Sequence, residues 1–245
     1  MGGEKVLRGI YTSCTGMVAE MDRQNVTANN LANIDTVGFK RDNCTTVPFA
    51  ELLLNAYSKR WPQQIGKLGL GVQAVTQVVD FSGGSLSETG NATDFAIDGD
   101  ALFAIQTGNG VRYTRAGAFQ LDKEGYLVNK DGYRVLGANG PVRLTNDQIT
   151  VTEEGQIMQN GQVADSLQIF GTTNMKKQGD ALYSNDTPEQ ATKYRILQGF
   201  LEHSNVNPVR EMVQMINITR SYDANQKALT SHDETLDKLV NELAR

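Results

Sequence analysis

Histidine and cysteine are nearly absent from this 245-residue chain, which has two of each: His203 and His232, Cys14 and Cys44. So few imidazoles work against histidine-based metal sites and against most acid–base catalysis near neutrality. Two thiols make neither a disulfide framework nor a CxxC or zinc pattern, and both are expected to be unbridged. Proline is scarce at 5 residues against 24 glycines, so the chain is turn-rich without being proline-rich or low-complexity. No apolar run approaches the ~18–20 residues a membrane-spanning helix needs. The opening Met1 to Lys5 lacks the apolar core and cleavage site of a secretory signal, so a cleaved signal of that kind is not expected to carry the protein out of the cytoplasm. A net charge of −5 offers no general attraction to nucleic acid or anionic lipid. What is present, 39% hydrophobic residues, suffices for an ordinary core in one or two domains. These deficits point away from an enzyme, and no cofactor or metal is expected.

The two ends read alike and the middle differently, which gives an α+β class with a β-rich centre between helical termini. Apolar or small residues recur in steps of four and three at Leu7, Tyr11, Cys14, Val18, Met21, Asn25, Ala28 and Ala32. That spacing predicts an amphipathic helix with a narrow coiled-coil-like seam, ending near Asn33 where Asp35, Thr36 and Gly38 supply turn chemistry. At the other end Asn207-Pro208 is a capping pair that opens a second helix. Its seam runs through Met212, Met215, Thr219, Tyr222, Gln226, Leu229, Asp233, Leu236, Val240 and Leu243. One of its two registers, Met215, Tyr222, Leu229, Leu236 and Leu243, is apolar throughout. Strand candidates fill the centre at 72–79, 95–97, 102–106, 111–114, 118–121, 126–128, 133–136, 149–151, 156–158 and 167–170. Gly-containing turns between them predict antiparallel hairpins. Residues 49–57 read as a short helix and Trp61 to Gly71 as an extended loop, within a segment expected to act as an interaction arm.

Candidate chemistry is thin. Asp94, Asp98 and Asp100 surround a glycine turn, but they lack the ligand spacing of a calcium loop and read as turn residues. Gly66 to Gly71 has neither the spacing nor the strand-to-helix setting of a phosphate loop. His232-Asp233 reads as solvated helix surface. In Ala28 to Lys40, three asparagines within five residues are poor helix formers, and they read as a capped helix end ahead of an interface element.

Asn29, Asn30, Leu31, Ala32 and Asn33, followed by Thr36, Gly38, Phe39 and Lys40, resemble the N-terminal signature of bacterial flagellar rod and hook proteins. Leu7 to Thr12 and Gly16-Met17 fit the same opening. Gln198 to Glu202, Ser204 to Asn207, Glu211 to Val213, Met215-Ile216, Arg220 to Tyr222 and Lys227 resemble the C-terminal signature. Gly84 to Leu86, Thr89 to Asn91, Asp94 to Ile97 with Gly99, and Tyr113 to Phe119 fit between them. Hook proteins are longer, with an outer domain this chain has no room for, which favours a rod subunit, proximal or distal. Relatives begin near the position of Val6 or Leu7, so Met1 to Lys5 stand outside the resemblance.

The resemblance implies a subunit of the basal-body drive shaft, exported through the flagellar type III apparatus and working outside the cytoplasm. Its helices would pair as a layer of a helical tube that transmits torque and encloses the export channel, with the termini folding on assembly. The implied partners are further copies, other rod and hook proteins, the export apparatus and the rings around the rod. Nucleic acid is not among them, nor is the chain expected to be membrane-embedded. The expected division is a helical arm at 1–39, an extended arm at 40–75, a β-rich domain at 76–200 and a second helical arm at 201–245. The competing reading is a stand-alone extracytoplasmic binding or adhesion module whose termini form a bundle.

Overall fold

The computed structural model describes residues 3–48, 52–57, 62–68, 71–145, 149–159, 161–179 and 181–243. Side chains within 3–8, 52–57, 62–68, 73–77 and at 48, 242 and 243 lie outside the description. The architecture is α+β: helix α1 (Gly3–Ala32), a long run of strands, and helix α2 (Pro208–Leu243). The chain divides into two compact units. The first holds residues 1–31, 42–78 and 208–245, and the second holds 32–41 and 79–207.

In the first unit, strand Asp42–Pro48 pairs with Val72–Val79, and Leu52–Tyr57 forms an antiparallel hairpin with Pro62–Leu68. Two expectations are corrected here. Leu52–Tyr57 is a strand where a short helix was expected, and Pro62–Leu68 is a strand within the expected loop. Each segment supplies the other's backbone partners, and that hairpin pairing overrides the helical propensity of Leu52 to Leu54. Residues 49–51, the start of the expected helix, and Trp61 lie outside the described residues.

The second unit is antiparallel β. One sheet runs in the order Lys176–Lys177, Leu182–Ser184, Gly110–Thr114, Ala101–Thr107, Arg134–Gly137, Leu127–Asn129 and Phe119–Leu121. In its middle strand, Ala101–Thr107, residues 101–105 are a continuous apolar run because both faces are covered there. Ala101, Phe103 and Ile105 enter the main core with Phe95, Phe119, Leu127 and Ile157, while Leu102 and Ala104 meet Tyr113 and Tyr183 on the reverse face. Phe103 and Phe119 meet edge to face at 5.2 Å between ring centroids. Strand Tyr194–Gln198 pairs with Phe95–Gly99, and Phe200–Glu202 with Leu86–Glu88, which brings the chain's late residues beside much earlier ones.

Candidate assembly interface

α1 and α2 run antiparallel and touch at points a heptad apart. A Cβ on Gly9 would stand 2.5 Å from His232 Nε2, and one on Gly16 would stand 2.9 Å from Asn225 Nδ2. Asn30 Nδ2 donates to Glu211 Oε2 at 3.3 Å. The residues of each pair advance by steps of seven or fourteen on both helices, so one register holds from the first contact to the last. Gly9 and Gly16 are the notches that let backbone and side chain approach so closely. Between the contacts Ala19, Val26 and Ile218 are buried. His232 is therefore half-buried against Gly9, which corrects its expected place on a solvated surface, while Asp233 is exposed.

Asn30 is itself buried and anchors the far end of this pair. Its amide donates to the Asp42 carbonyl at 2.9 Å and its Oδ1 accepts from the Asp42 N–H at 2.9 Å. A single amide thus holds the first strand and α2 against α1. Asn33 serves the turn instead, accepting from Thr36 through both backbone and side chain.

The seam residues singled out on α1 lie elsewhere. Tyr11, Cys14, Val18, Met21, Asn25 and Ala28 are all exposed. They precede the inward row of residues 9, 13, 16, 20, 23, 27 and 30 by two positions, about 200° around a helix, and so occupy its opposite face. On α2 the apolar register Met215, Tyr222, Leu229 and Leu236 is half-buried and shares the inward face with Glu211, Ile218, Asn225 and His232. Met212 and Val240 are exposed, and the side chains of Leu7 and Leu243 lie outside the described residues. Cys14 and Cys44 are free thiols, and burial together with the nearby Asp22 charge pushes Cys44 up from its ordinary pKa.

The other signature residues converge in the second unit on one carboxylate. Glu202 Oε1 accepts from Lys40 Nζ at 2.7 Å and from the Gly84 N–H at 2.8 Å, and Oε2 accepts from Arg115 Nε. Lys40 also donates to the Ser82 carbonyl, while the Arg115 guanidinium caps the carbonyls of Ile97, Gly99 and Ala101. All three charged side chains are at most 3% exposed. Burial pulls Lys40 below its ordinary pKa against the opposing pull of Glu202. Burial pushes Glu202 upward, but the Arg115 charge and the bonds from Gly84, Lys40 and Arg115 outweigh it and hold the carboxyl below its usual range.

The backbone around this carboxylate is fixed as tightly. Gly38 has φ +69° and donates to the Glu202 carbonyl at 2.8 Å, and a Cβ there would lie 2.5 Å from the Arg115 carbonyl carbon. Phe39 is fully buried, with Lys177 Nζ 4.2 Å from its ring centre. Asn205 Oδ1 accepts from the Arg41 N–H, and its amide donates to the Asp80 and Ser82 carbonyls. Four motifs far apart in sequence, around residues 38–41, 82–84, 115–117 and 202–205, thus close on each other.

Of the expected turn aspartates, Asp94 accepts from Thr89 and Asn91, and Asp98 pairs with Arg195 at 2.7 Å. What sequence reasoning missed is the notch pairs and the meeting of three signature residues, Lys40, Arg115 and Glu202, in one charged triad. Their signal was present in the seven-residue step from Gly9 to Gly16 and in a lysine, an arginine and a glutamate each placed inside an otherwise apolar or glycine-rich motif.

Three family descriptions match the chain in order. These are "Flagella basal body rod protein" over residues 10–40, "Flagellar hook protein FlgE/F/G D1 domain" over 96–164, and "Flagellar basal body rod FlgEFG protein C-terminal" over 197–243. The flagellar basal-body rod protein FlgG of Bacillus subtilis is 33% identical, covering 96% of this chain and 99% of that protein. FlgF of Rhizobium meliloti, also named a basal-body rod protein, is 34% identical over 96% of this chain and 97% of its own length. The hook-basal body complex protein FlhO of B. subtilis is 31% identical over 98% and 100%.

Proposed function

Because this chain belongs to the family of flagellar basal-body rod proteins, and is a structural subunit of the rod in the bacterial basal body, we propose that it builds a helical tube through the outward faces of its terminal helices. The observation that carries this reading is the α1 row Tyr11, Cys14, Val18, Met21, Asn25 and Ala28, exposed along its whole length on the side away from α2. Tyr11, Val18 and Met21 are each more than half exposed, a spacing of apolar surface that a lone chain gains nothing from displaying. In the tube this row packs against other copies, and the signature residues Asn29 to Phe39 hold the helix end that presents it.

The tube transmits torque and encloses the export channel, and the subunit reaches its place through the flagellar type III apparatus. Other rod and hook proteins continue the same packing above and below, within the surrounding rings. The part played is mechanical and non-catalytic. The stand-alone binding module finds no support, since relatives matched along their whole length carry rod or hook-basal-body names.

Val18→Asp combined with Met21→Asp tests the reading. Both positions are exposed, so the variant keeps its helicity and the thermal transition of the second unit. It should yield no tubes by electron microscopy at concentrations where the natural sequence forms them. Normal tubes from the double variant would show that the outward row is not the seam.

A further inference from the structure

The outward surface of α2 is electrically lopsided. From its start to Lys227 it exposes Arg210, Arg220 and Lys227 against Asp223, whereas from Asp233 to Lys238 it exposes Asp233, Glu234 and Asp237 against Lys238. The acid of the first turn, Glu211, is buried on Asn30, and the last turn contains no base. A helix is positive at its N-terminus and negative at its C-terminus, so this layout adds to the dipole where an isolated helix is stabilised by opposing it.

Apolar surface follows the same division. Val209, Val213 and Ile216 lie in one stripe with Arg220 at i, i+4, i+7 and i+11, and Asp233, Asp237 and Val240 repeat the spacing at the other end. All of these apolar side chains are at least half exposed. The two patches are separated by about 25 residues, roughly 40 Å of helix, so they cannot meet within one α2.

We propose that the basic head of α2 docks on the acidic tail of α2 in a second copy, so that subunits stack head to tail. Charge complementarity selects that occupant, because the patch that fits each end is carried at the other end of the same helix. A contact between two different patches is heterologous and does not close on itself, which suits a tube that grows at its tip. The inference rests on the self-assembly reading above and specifies one of its contacts.

The experiment uses two full-length variants, Arg210→Glu with Arg220→Glu, and Asp233→Lys with Asp237→Lys. Each alone should need on the order of tenfold more protein to assemble than the natural chain, followed by sedimentation and electron microscopy. Mixed in equal amounts, each reversed end meets a complementary one, and assembly should return close to the natural threshold. Raising salt from ~0.05 M to ~0.5 M should weaken assembly of the natural chain and of the mixture alike. If the natural chain assembles and both variants do so equally well alone, or the mixture rescues nothing, the head-to-tail contact is wrong while self-assembly stands. If the natural chain forms no assembly at any concentration, both readings fall.

Discussion

Glu202 is the residue on which the second unit turns. Replacing it with Gln leaves Lys40 and Arg115 buried without their counter-charge, which should cost about 3–5 kcal/mol in chemical denaturation of the natural chain. Lys40→Met should cost less, since Glu202 keeps Arg115 and the Gly84 N–H. The pH dependence follows from the same group. Its folded pKa lies below the unfolded value, so its contribution is complete above the ordinary carboxylate range and is lost as pH falls through the folded pKa. Lys40 is also lowered, so its burial penalty lifts only as pH rises from its folded pKa toward 10.5. Both groups make stability climb with pH, in an acid window and an alkaline one. Melting temperature measured against pH should show the acid step in the natural chain and a flattened one in Glu202→Gln.

For the helices, the period was legible and the phase was not. Steps of four and three in the sequence correctly announced two long helices, and Asn207-Pro208 marked the start of α2. The apolar row on α1 was the visible one, yet the residues that meet α2 include Gly9, Gly16 and Asn30. Hydropathy ranks such residues as surface, whereas close approach between helices selects for small size. Nothing local in the sequence tells which of two opposite stripes meets the chain's own partner. The β-rich centre was easier to read, because Gly turns and short apolar runs mark hairpins locally, while Pro62–Leu68, paired with the strand just before it, contains no apolar run to mark it. Gly16→Leu tests the notch. The gain of up to about 1 kcal/mol in helix propensity is outweighed by about 1–3 kcal/mol of overpacking against Asn225. Helical circular dichroism should melt earlier in this variant than in the natural chain, whereas Met21→Leu on the opposite face should leave the melting unchanged.

At the scale of the whole molecule, the nine residues after α1, 33–41, belong with the β-rich unit and not with the helix they follow. A fragment spanning 32–207 should therefore resist limited proteolysis and fold cooperatively. One spanning 76–200 lacks Gly38, Lys40 and Glu202 and should be degraded; survival of the shorter piece would show the carboxylate cluster to be dispensable. The register of the helix pair also has a consequence in time. Gly9 meets His232 and Gly16 meets Asn225, contacts that bridge more than 200 residues of chain. At ribosomal speeds of roughly 5–20 residues per second, α1 waits on the order of 10–40 s for the stretch that will cover its notches. Closure cannot precede the synthesis of α2 and, at this sequence separation, is slow. Until then the notched face of α1 has no native partner to fold upon, and a nascent helix in that condition can be threaded through a narrow passage without first being pulled from α2.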